Sequence, residues 1–187
     1  MGKHEVAQRG VFLDRDGVIN RVVVRNGMPH PPYQIGEFEL YADVPEGCAR
    51  LKAANFLLVV ITNQPDVGRG IQSREAVEAM NLKMQSALPL LDRVETCYHA
   101  GEHYGQPCSC RKPRPGLILR AAADLKIDPR RSYVIGDRWR DVDCARAAGC
   151  RAILINRGYK EPLRQAPDFT VSNFNDAVSA VLRDASL

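Results

Sequence analysis

The sequence has no apolar segment of the kind that targets a protein for export or anchors it in a membrane. The first ten residues contain no apolar core of a secretory signal, and no apolar run approaches the length of a bilayer span. Lysine and arginine form no block, and the formal net charge of +4 is far from the basic footprint of a nucleic-acid-binding protein. We therefore expect a cytoplasmic protein that binds neither membranes nor nucleic acid.

The chain also lacks a Gly/Ser-rich linker, an internal repeat and a low-complexity segment. Its 187 residues suffice for one hydrophobic core, so we expect a single domain over residues 1–187 and take a monomer as the expected state. The absence of a Gly-x-x-x-x-Gly-Lys sequence argues against a kinase or another nucleotide-using enzyme. The mild positive charge suits a small anionic substrate.

Six cysteines are present, but without a secretory signal a disulfide framework is not expected. Three of them fall within the fourteen residues 97–110, together with His99. The other three, Cys48, Cys144 and Cys150, lie in or beside helical patterns and are expected to be small buried hydrophobic residues. The grouped cysteines indicate a metal site instead.

Apolar strand patterns alternate with amphipathic helix patterns along the chain. The pair Asn26-Gly27, between a β-branched run and another short segment, predicts a hairpin. The predicted strands cover 11–13, 57–61, 94–98, 132–135, 152–155 and 169–171, and the predicted helices cover 45–55, 73–89, 115–126, 139–148 and 175–183. This alternation is typical of an α/β fold with a doubly wound parallel sheet.

Two carboxylates stand at the end of the first predicted strand. Asp14 and Asp16 follow the apolar run 11–13 and precede Gly17, so strand alternation would direct both toward one point. Like charges this close need a cation between them or a proton on one of them, which predicts a hard metal ion, a proton-shuttling acid or both. An Asp-capped turn is the alternative. A calcium loop of the EF-hand type is excluded because its twelfth position is Arg25 rather than Glu.

Further polar groups stand at two other strand ends and before one helix. They are Thr62 and Asn63, Asp137, and the pair Arg111 and Lys112. Hydroxyl, amide, ammonium and guanidinium groups can all bind phosphate oxygens, and another carboxylate suits Mg²⁺. Each group alone is better explained as loop or surface chemistry. Because the carboxyl ends of parallel strands meet at one sheet edge, the groups together predict a phosphate and magnesium site.

In this order and spacing the motifs resemble those of the haloacid dehalogenase-type phosphatases, and they cover most of the chain. The motifs are Asp14-Arg15-Asp16-Gly17-Val18, Thr62-Asn63, Lys112, and Gly136-Asp137 with Asp141. The resemblance implies that Asp14 is the nucleophile of an aspartyl-phosphate mechanism and that Asp16 serves as acid and base. It also implies a Mg²⁺ ion held by the Asp14 carboxylate, the Asp16 main-chain carbonyl and Asp137.

The same resemblance assigns the phosphate-binding groups. Thr62, Asn63 and Lys112 are expected to stabilise charge on the transferring phosphoryl group. Asp141 is expected to orient Lys112 or a metal-bound water rather than to bind the metal.

Three thiols and an imidazole form a complete tetrahedral zinc set at Cys97, His99, Cys108 and Cys110. Because all four positions would be filled, such a zinc would be structural, and the loop that it holds runs directly into Lys112. The spacings are tighter than in zinc fingers. Unpaired thiols are the alternative, and His103 is a spare ligand, although the Cys-x-His pattern of the family favours His99.

A zinc loop followed by Cys-x-Cys-Arg-Lys-Pro resembles a small, capless branch of these phosphatases. Its main members are heptose 1,7-bisphosphate 7-phosphatases and histidinol-phosphatases. Between the motifs this chain has room only for a hairpin flap, helices and the zinc loop. The resemblance implies removal of the 7-phosphate from D-glycero-D-manno-heptose 1,7-bisphosphate. A histidinol-phosphatase or another small-molecule phosphatase is the second expectation. A non-catalytic zinc-stabilised binding module is the third, but it would lack a chemical residue and none is missing.

The expected phosphate- and substrate-binding residues are Asn20, Thr62, Asn63, Gln64, Arg111, Lys112 and Arg138. The two arginines would meet the second anion of a sugar bisphosphate, whereas Asp66 or Glu102 would receive the amine of histidinol. The chain departs from the branch at residues 65–66, where Ser-Gly is commoner, and at Tyr98, where proline is usual. Both departures lie near the expected substrate wall and bear on specificity.

Overall fold

The computed structural model describes residues 7–25 and 28–186. Its strands are β1 (Arg9–Leu13), β2 (Val23–Arg25), β3 (Met28–His30), β4 (Phe56–Asn63), β5 (Arg93–Cys97), β6 (Tyr133–Gly136), β7 (Arg151–Ile155) and β8 (Phe169–Val171). Its α-helices are α1 (Val44–Ala53), α2 (Pro65–Gly68), α3 (Arg74–Ala87), α4 (Gly116–Leu125), α5 (Trp139–Ala148) and α6 (Phe174–Asp184). Within the described ranges, no helix has both the length and the apolar character needed to cross a bilayer.

Six parallel strands form the main sheet, in the order β5-β4-β1-β6-β7-β8. The chain builds outward from β1 in one direction through β4 and β5, and then in the other through β6, β7 and β8. The order therefore reverses at β1, and the crevice outside its carboxyl end is the usual ligand position in such sheets. Asp14 is the first residue after β1.

Helices cover both faces of this sheet, as the doubly wound pattern predicted. Along β1 the side chains alternate: Val11 and Leu13 enter the core beneath α1, α3 and α6, whereas Phe12 enters the core beneath α4 and α5. Because β1 is buried on both faces, it reads as an unbroken apolar run. Cys48, Cys144 and Cys150 are buried as expected, and none of the six cysteines, all among the described residues, forms a disulfide.

Local signals set most element boundaries. The Ser73 side chain accepts a hydrogen bond from the Ala76 amide and caps α3. Gly149, at φ +80°, ends α5 at the predicted residue. In contrast, β4 runs beyond its predicted end to Asn63, because β5 pairs with its last residues. The short helix α2 was not predicted.

A hairpin projects from the chain after β1. Strands β2 and β3 pair antiparallel, with Val23 opposite His30. The predicted Asn26-Gly27 turn lies outside the described residues. In the described part of the chain, the connections between the sheet strands hold this hairpin, helices and loops but no inserted cap domain, so the carboxyl edge of the sheet stays open.

Candidate active site

Lys112 contacts groups from three elements: the residue after β1, the strand β4 and the helix α5. Its Nζ atom lies 2.9 Å from Asp14 Oδ1 and 2.7 Å from Asp141 Oδ1, and it donates to the Ile61 carbonyl at 2.9 Å. The side chain is 1% exposed. Burial alone lowers the pKa of Lys112, but the two carboxylates raise it above the ordinary value. Lys112 is therefore a fixed positive charge beside Asp14.

The Asn63 amide holds the backbone of Lys112 in place. Its Nδ2 donates to the Lys112 carbonyl at 3.1 Å, and its Oδ1 accepts from the Lys112 amide at 3.0 Å. The end of β4 therefore binds the segment that follows the cysteines Cys108 and Cys110 much as one strand binds another. This contact joins residues 49 positions apart in the chain.

Three buried carboxylates lie around this lysine. Oxygen atoms of Asp14, Asp137 and Asp141 all lie within 4.8 Å of one another. Burial, together with the neighbouring carboxylates, raises the pKa of Asp14 to about 7 against the pull of Lys112. Burial, and then the charges of Asp14 and Asp141, raises the pKa of Asp137 well above its usual value. With all three carboxylates ionised, the one ammonium would leave two negative charges in excess. The raised pKa values mean that protons reduce this charge when no metal is bound, and a divalent cation would take their place.

Asp137 carries the clearest sign of an additional partner. Its Oδ1 atom is buried and has no well-aligned hydrogen-bond donor among the described residues, although the nearby Tyr159 hydroxyl lowers the pKa of Asp137; an oxygen without such a donor is unusual for a buried carboxylate. Gly17 approaches the other oxygen closely: at φ +88°, a Cβ atom there would lie 1.9 Å from Asp137 Oδ2. A glycine is therefore required at this turn, and the missing side chain makes room for the carboxylate.

Several donors surround the Asp16 carboxylate. Asn20 Nδ2 donates to Oδ1 at 3.0 Å, Gln64 Nε2 donates to Oδ2 at 2.7 Å, and Arg15 forks onto both oxygens at 3.2 Å. Gln64 Nε2 also donates to Thr62 Oγ1 at 2.8 Å. Asn20 and Gln64, both predicted to bind substrate, thus contact Asp16 instead of lining the open cavity.

A cavity of about 330 Å³ opens above Asp14. Of the predicted site residues, it is lined by Asp14, Asp16, Asn63, Arg111, Lys112, Asp137 and Arg138. Thr62, Gln64, Asn20 and Asp141 are buried outside its lining. The hairpin contributes His30 between two prolines, and the loop after β7 contributes Tyr159.

The cavity wall is basic, and its arginines differ in how they are paired. Arg138 forms a two-pronged ion pair with Glu161, which weakens the prediction that its charge is free for substrate. The Nε atom of Arg140 is buried and has no hydrogen-bond partner among the described residues, although its Nη2 atom lies 3.9 Å from the same Glu161 carboxylate. Asp66 pairs with Arg69 at 3.1 Å, so this carboxylate is already neutralised.

The four predicted zinc ligands lie together in one cluster. Cys97 Sγ lies 3.8 Å from Cys108 Sγ, 3.2 Å from Cys110 Sγ and 3.5 Å from His99 Nδ1. With Zn–S and Zn–N bonds of about 2.3 and 2.0 Å, a tetrahedral site has edges of about 3.8 Å between sulfurs and about 3.6 Å between sulfur and nitrogen. His103 is not part of this cluster. The geometry fits a four-coordinate ion bound through His99 Nδ1.

Comparison with known proteins places this chain among enzymes. A model of the HAD-hydrolase-like family matches residues 109–177. The D-glycero-beta-D-manno-heptose-1,7-bisphosphate 7-phosphatase of Haemophilus ducreyi is 34% identical over 82% of this chain and 86% of its own length. The Vibrio cholerae protein of the same name is 36% identical over 82% of this chain and 84% of its own. The chain belongs to the haloacid dehalogenase-like phosphatases.

Solved structures of this phosphatase family share the fold. A D,D-heptose 1,7-bisphosphate phosphatase from B. bronchiseptica, complexed with magnesium and phosphate, superposes with a TM-score of 0.79 at 27% identity, covering 94% of this chain and 99% of that one. The corresponding enzyme from Burkholderia thailandensis gives a TM-score of 0.64 at 26% identity, with the same coverage. The capless α/β architecture is therefore that of the family.

Sequence reasoning on this phosphatase missed part of the cavity wall. His30, Arg69, Arg140 and Tyr159 line the cavity but belong to no motif. Arg140 lies one position before Asp141, so the helix that carries the motif could have drawn attention to it. The other three come from segments whose position depends on tertiary packing, and no local signal identifies them.

Proposed function

We propose that this phosphatase removes the 7-phosphate of D-glycero-D-manno-heptose 1,7-bisphosphate with the help of Mg²⁺. The observation that carries the proposal is the buried Asp14–Lys112 contact, 2.9 Å long, at the floor of a cavity with arginine walls. A carboxylate beside a fixed ammonium suits attack on a phosphoryl group. The arginines suit a substrate with a second anion, and the relatives bear the name of this activity.

Mg²⁺ would be held by the Asp14 and Asp137 carboxylates and the Asp16 main-chain carbonyl. The residues fit this ion, because the fully ionised cluster has two excess negative charges and Asp137 has a buried oxygen with no well-aligned donor among the described residues. Mg²⁺ prefers few carboxylates and several waters. When bound, it would neutralise charge on the phosphoryl oxygens and keep Asp14 ionised.

The chemistry then follows from three side chains. A carboxylate oxygen of Asp14 forms a bond to phosphorus while the ester P–O bond breaks, and Asp16 gives its proton to the departing sugar oxygen. Asp16 next takes a proton from water, whose oxygen attacks the phosphorus of the aspartyl-phosphate. The bond between phosphorus and the Asp14 oxygen breaks, so inorganic phosphate leaves and the Asp14 carboxylate is restored. Lys112 supplies a fixed positive charge during both steps, the electrostatic contribution that dominates such transfers.

We assign supporting roles to the polar residues beside this centre. Asn63 holds Lys112 through its backbone, so its main contribution is to position the ammonium. Gln64 donates to Thr62 Oγ1; because Thr62 is buried outside the cavity lining, its contact with phosphate stays a prediction. Asn20 orients Asp16, and Asp141 orients Lys112.

We propose that Arg111 and Arg140 receive the second phosphate. Both line the cavity, and Arg140 has an unused buried donor. Arg138 is committed to Glu161. A histidinol-phosphatase is less favoured, because the acidic residues considered for its amine are already paired, Asp66 with Arg69 and Glu102 with Arg114.

We further propose that Zn²⁺ is bound by Cys97, His99, Cys108 and Cys110 as a structural ion. The distances within the cluster support this. Burial raises the pKa of the Cys97 thiol, so this sulfur would become a thiolate ligand only when a metal replaces its proton. The ion would fix the backbone that leads into Arg111, whose side chain reaches back to the His99 carbonyl.

The test measures phosphate release from heptose 1,7-bisphosphate and from histidinol phosphate side by side, with and without Mg²⁺. Asp14→Asn provides the blank, since the amide cannot form the acyl-phosphate. A large preference for the heptose, lost without Mg²⁺, is expected. Arg140→Ala should raise KM for the bisphosphate more than Arg138→Ala does. Retained turnover in Asp14→Asn would contradict the mechanism, and a preference for histidinol phosphate would contradict the substrate assignment.

A further inference from the structure

Arg15 is the largest fully buried side chain among the described residues, with no exposed surface. It stands between the two motif aspartates and is itself no part of the phosphoryl chemistry. Its Nε and Nη2 atoms lie 3.2–3.3 Å from the Asp16 carboxylate oxygens. A buried guanidinium needs partners for its N–H groups, and the Asp16 carboxyl group accepts hydrogen bonds from two of its nitrogens.

A second residue anchors this arginine from the far side. Arg15 Nη1 donates to Asn81 Oδ1 at 2.9 Å, and Asn81 Nδ2 donates to Thr96 Oγ1 at 3.3 Å. Asn81 lies on α3 and is 7% exposed, and it does not line the cavity above Asp14. A chain of hydrogen bonds therefore runs from β5 through α3 to Asp16.

We infer that Arg15, anchored by Asn81, is a positioning residue that orients the Asp16 carboxyl group toward the leaving oxygen. This inference rests on the proposed function. It gives a role to Arg15 and Asn81, to which the motifs assign none. On a regular strand, neighbouring side chains point to opposite faces. Here the chain has left β1, so Arg15 and Asp16 can meet, and the bidentate fork fixes the plane of the carboxyl group as a single hydrogen bond does not.

The orientation of Asp16 matters most when the leaving group is a poor one. A sugar alkoxide must be protonated as the P–O bond breaks, whereas 4-nitrophenolate leaves without assistance. A positioning defect should therefore slow alkyl phosphates more than aryl phosphates. A general loss of structure would slow both equally. The value of kcat/KM reports the steps up to release of the alcohol, so it excludes the later hydrolysis of the aspartyl-phosphate.

The experiment measures kcat/KM with Mg²⁺ for a series of aryl phosphates and for heptose 1,7-bisphosphate. The wild type is compared with the variants Asn81→Ala and Arg15→Lys. Asn81→Ala removes the anchor without touching the cavity, and Arg15→Lys keeps the charge but loses the fork. We expect kcat/KM for the sugar phosphate to fall by about 10-fold or more, within the range of general acid catalysis. The value for 4-nitrophenyl phosphate should change by less than about 2-fold, so the dependence on leaving-group pKa becomes steeper.

Ser132→Ala is the matched control. Ser132 is fully buried and accepts from the Gly10 amide at 2.9 Å, at the opposite end of the sheet. Ser132→Ala loses a buried hydrogen bond, but the dependence of kcat/KM on the pKa of the leaving group should be the same as in the wild type. Equal losses on all substrates in Asn81→Ala and Arg15→Lys would overturn the inference. An inactive wild type would overturn the proposed function instead, so the two failures are distinguishable.

Discussion

Replacing Gly17 with alanine should weaken magnesium binding, and this effect should be separate from the loss of folding stability. The added Cβ would lie 1.9 Å from Asp137 Oδ2, whereas such contacts need more than about 3 Å, so the carboxylate must retreat by roughly 1 Å or more. Mg²⁺ holds its ligands at about 2.0–2.1 Å in a strict octahedral geometry. Displacing one ligand should raise the Mg²⁺ concentration for half-maximal activity by about 10–100-fold, as typical of losses at ligand-supporting positions.

Gly70→Ala separates this contact from backbone strain. Gly70 has φ +72°, close to the +88° of Gly17, but an added Cβ there meets nothing within 4 Å. Both variants pay about 1–2 kcal/mol for a left-handed alanine, which corresponds to a fall in Tm of about 2–4 °C per kcal/mol for a chain of this size. Only Gly17→Ala should also shift the Mg²⁺ dependence. The assay is phosphate release titrated with Mg²⁺, with thermal unfolding in Mg²⁺-free buffer. The same Mg²⁺ half-saturation in both variants would refute the reasoning.

Three further results are expected. Cys110→Ser should lose the zinc measured by elemental analysis and should have a lower Tm. Cys150→Ala changes a buried cysteine outside the cluster and should keep its zinc. A wild-type zinc content in Cys110→Ser would contradict the zinc site. In Mg²⁺-free buffer the native state should bind an extra proton at Asp14, because burial raises the pKa of this group from 3.8 to about 7. The free energy of unfolding, measured with urea, should therefore fall as the pH rises between these two values, and Asp14→Asn should make that slope smaller, with Asp137, whose pKa is also raised, supplying the remainder. Asn63→Leu should lose about 2 kcal/mol of stability, from two hydrogen bonds of about 1 kcal/mol each. Turnover in that variant should fall as well, since Lys112 loses its backbone support; unchanged kcat would show that the zinc loop alone positions Lys112.

The parts of the fold that sequence reasoning predicted are those governed by local rules. Buried parallel strands read as apolar runs, and the end of α5 at Gly149 follows from left-handed backbone geometry. The cluster at the edge of the sheet was predicted because its groups sit at strand ends, whose mutual position is fixed by the α/β topology. The sequence could not show that Arg138 would pair with Glu161, 23 positions away. Pairings of this kind depend on how an irregular loop packs.

The dependence on side-chain packing also explains why the predicted and the observed contacts of Asn20 and Gln64 differ. Both residues stand beside motif residues, so a direct role toward substrate was the natural expectation. Their amide groups instead turn toward Asp16, because a half-buried carboxylate needs hydrogen-bond donors. Which of two nearby acceptors an amide satisfies is decided by side-chain geometry and not by spacing.

The cavity has a floor and walls of separate origin, and this has an evolutionary consequence. The floor consists of the aspartates that follow β1 and β6, together with Asn63 at the end of β4 and Lys112. The hairpin, α2 and the loop after β7 supply walls through His30, Asp66 and Tyr159. Because the floor is tied to the sheet and the walls are not, insertions in the hairpin can alter which molecule fits without disturbing the reacting groups. Changes in this segment can therefore alter the substrate during evolution while the residues of the hydrolytic step stay the same.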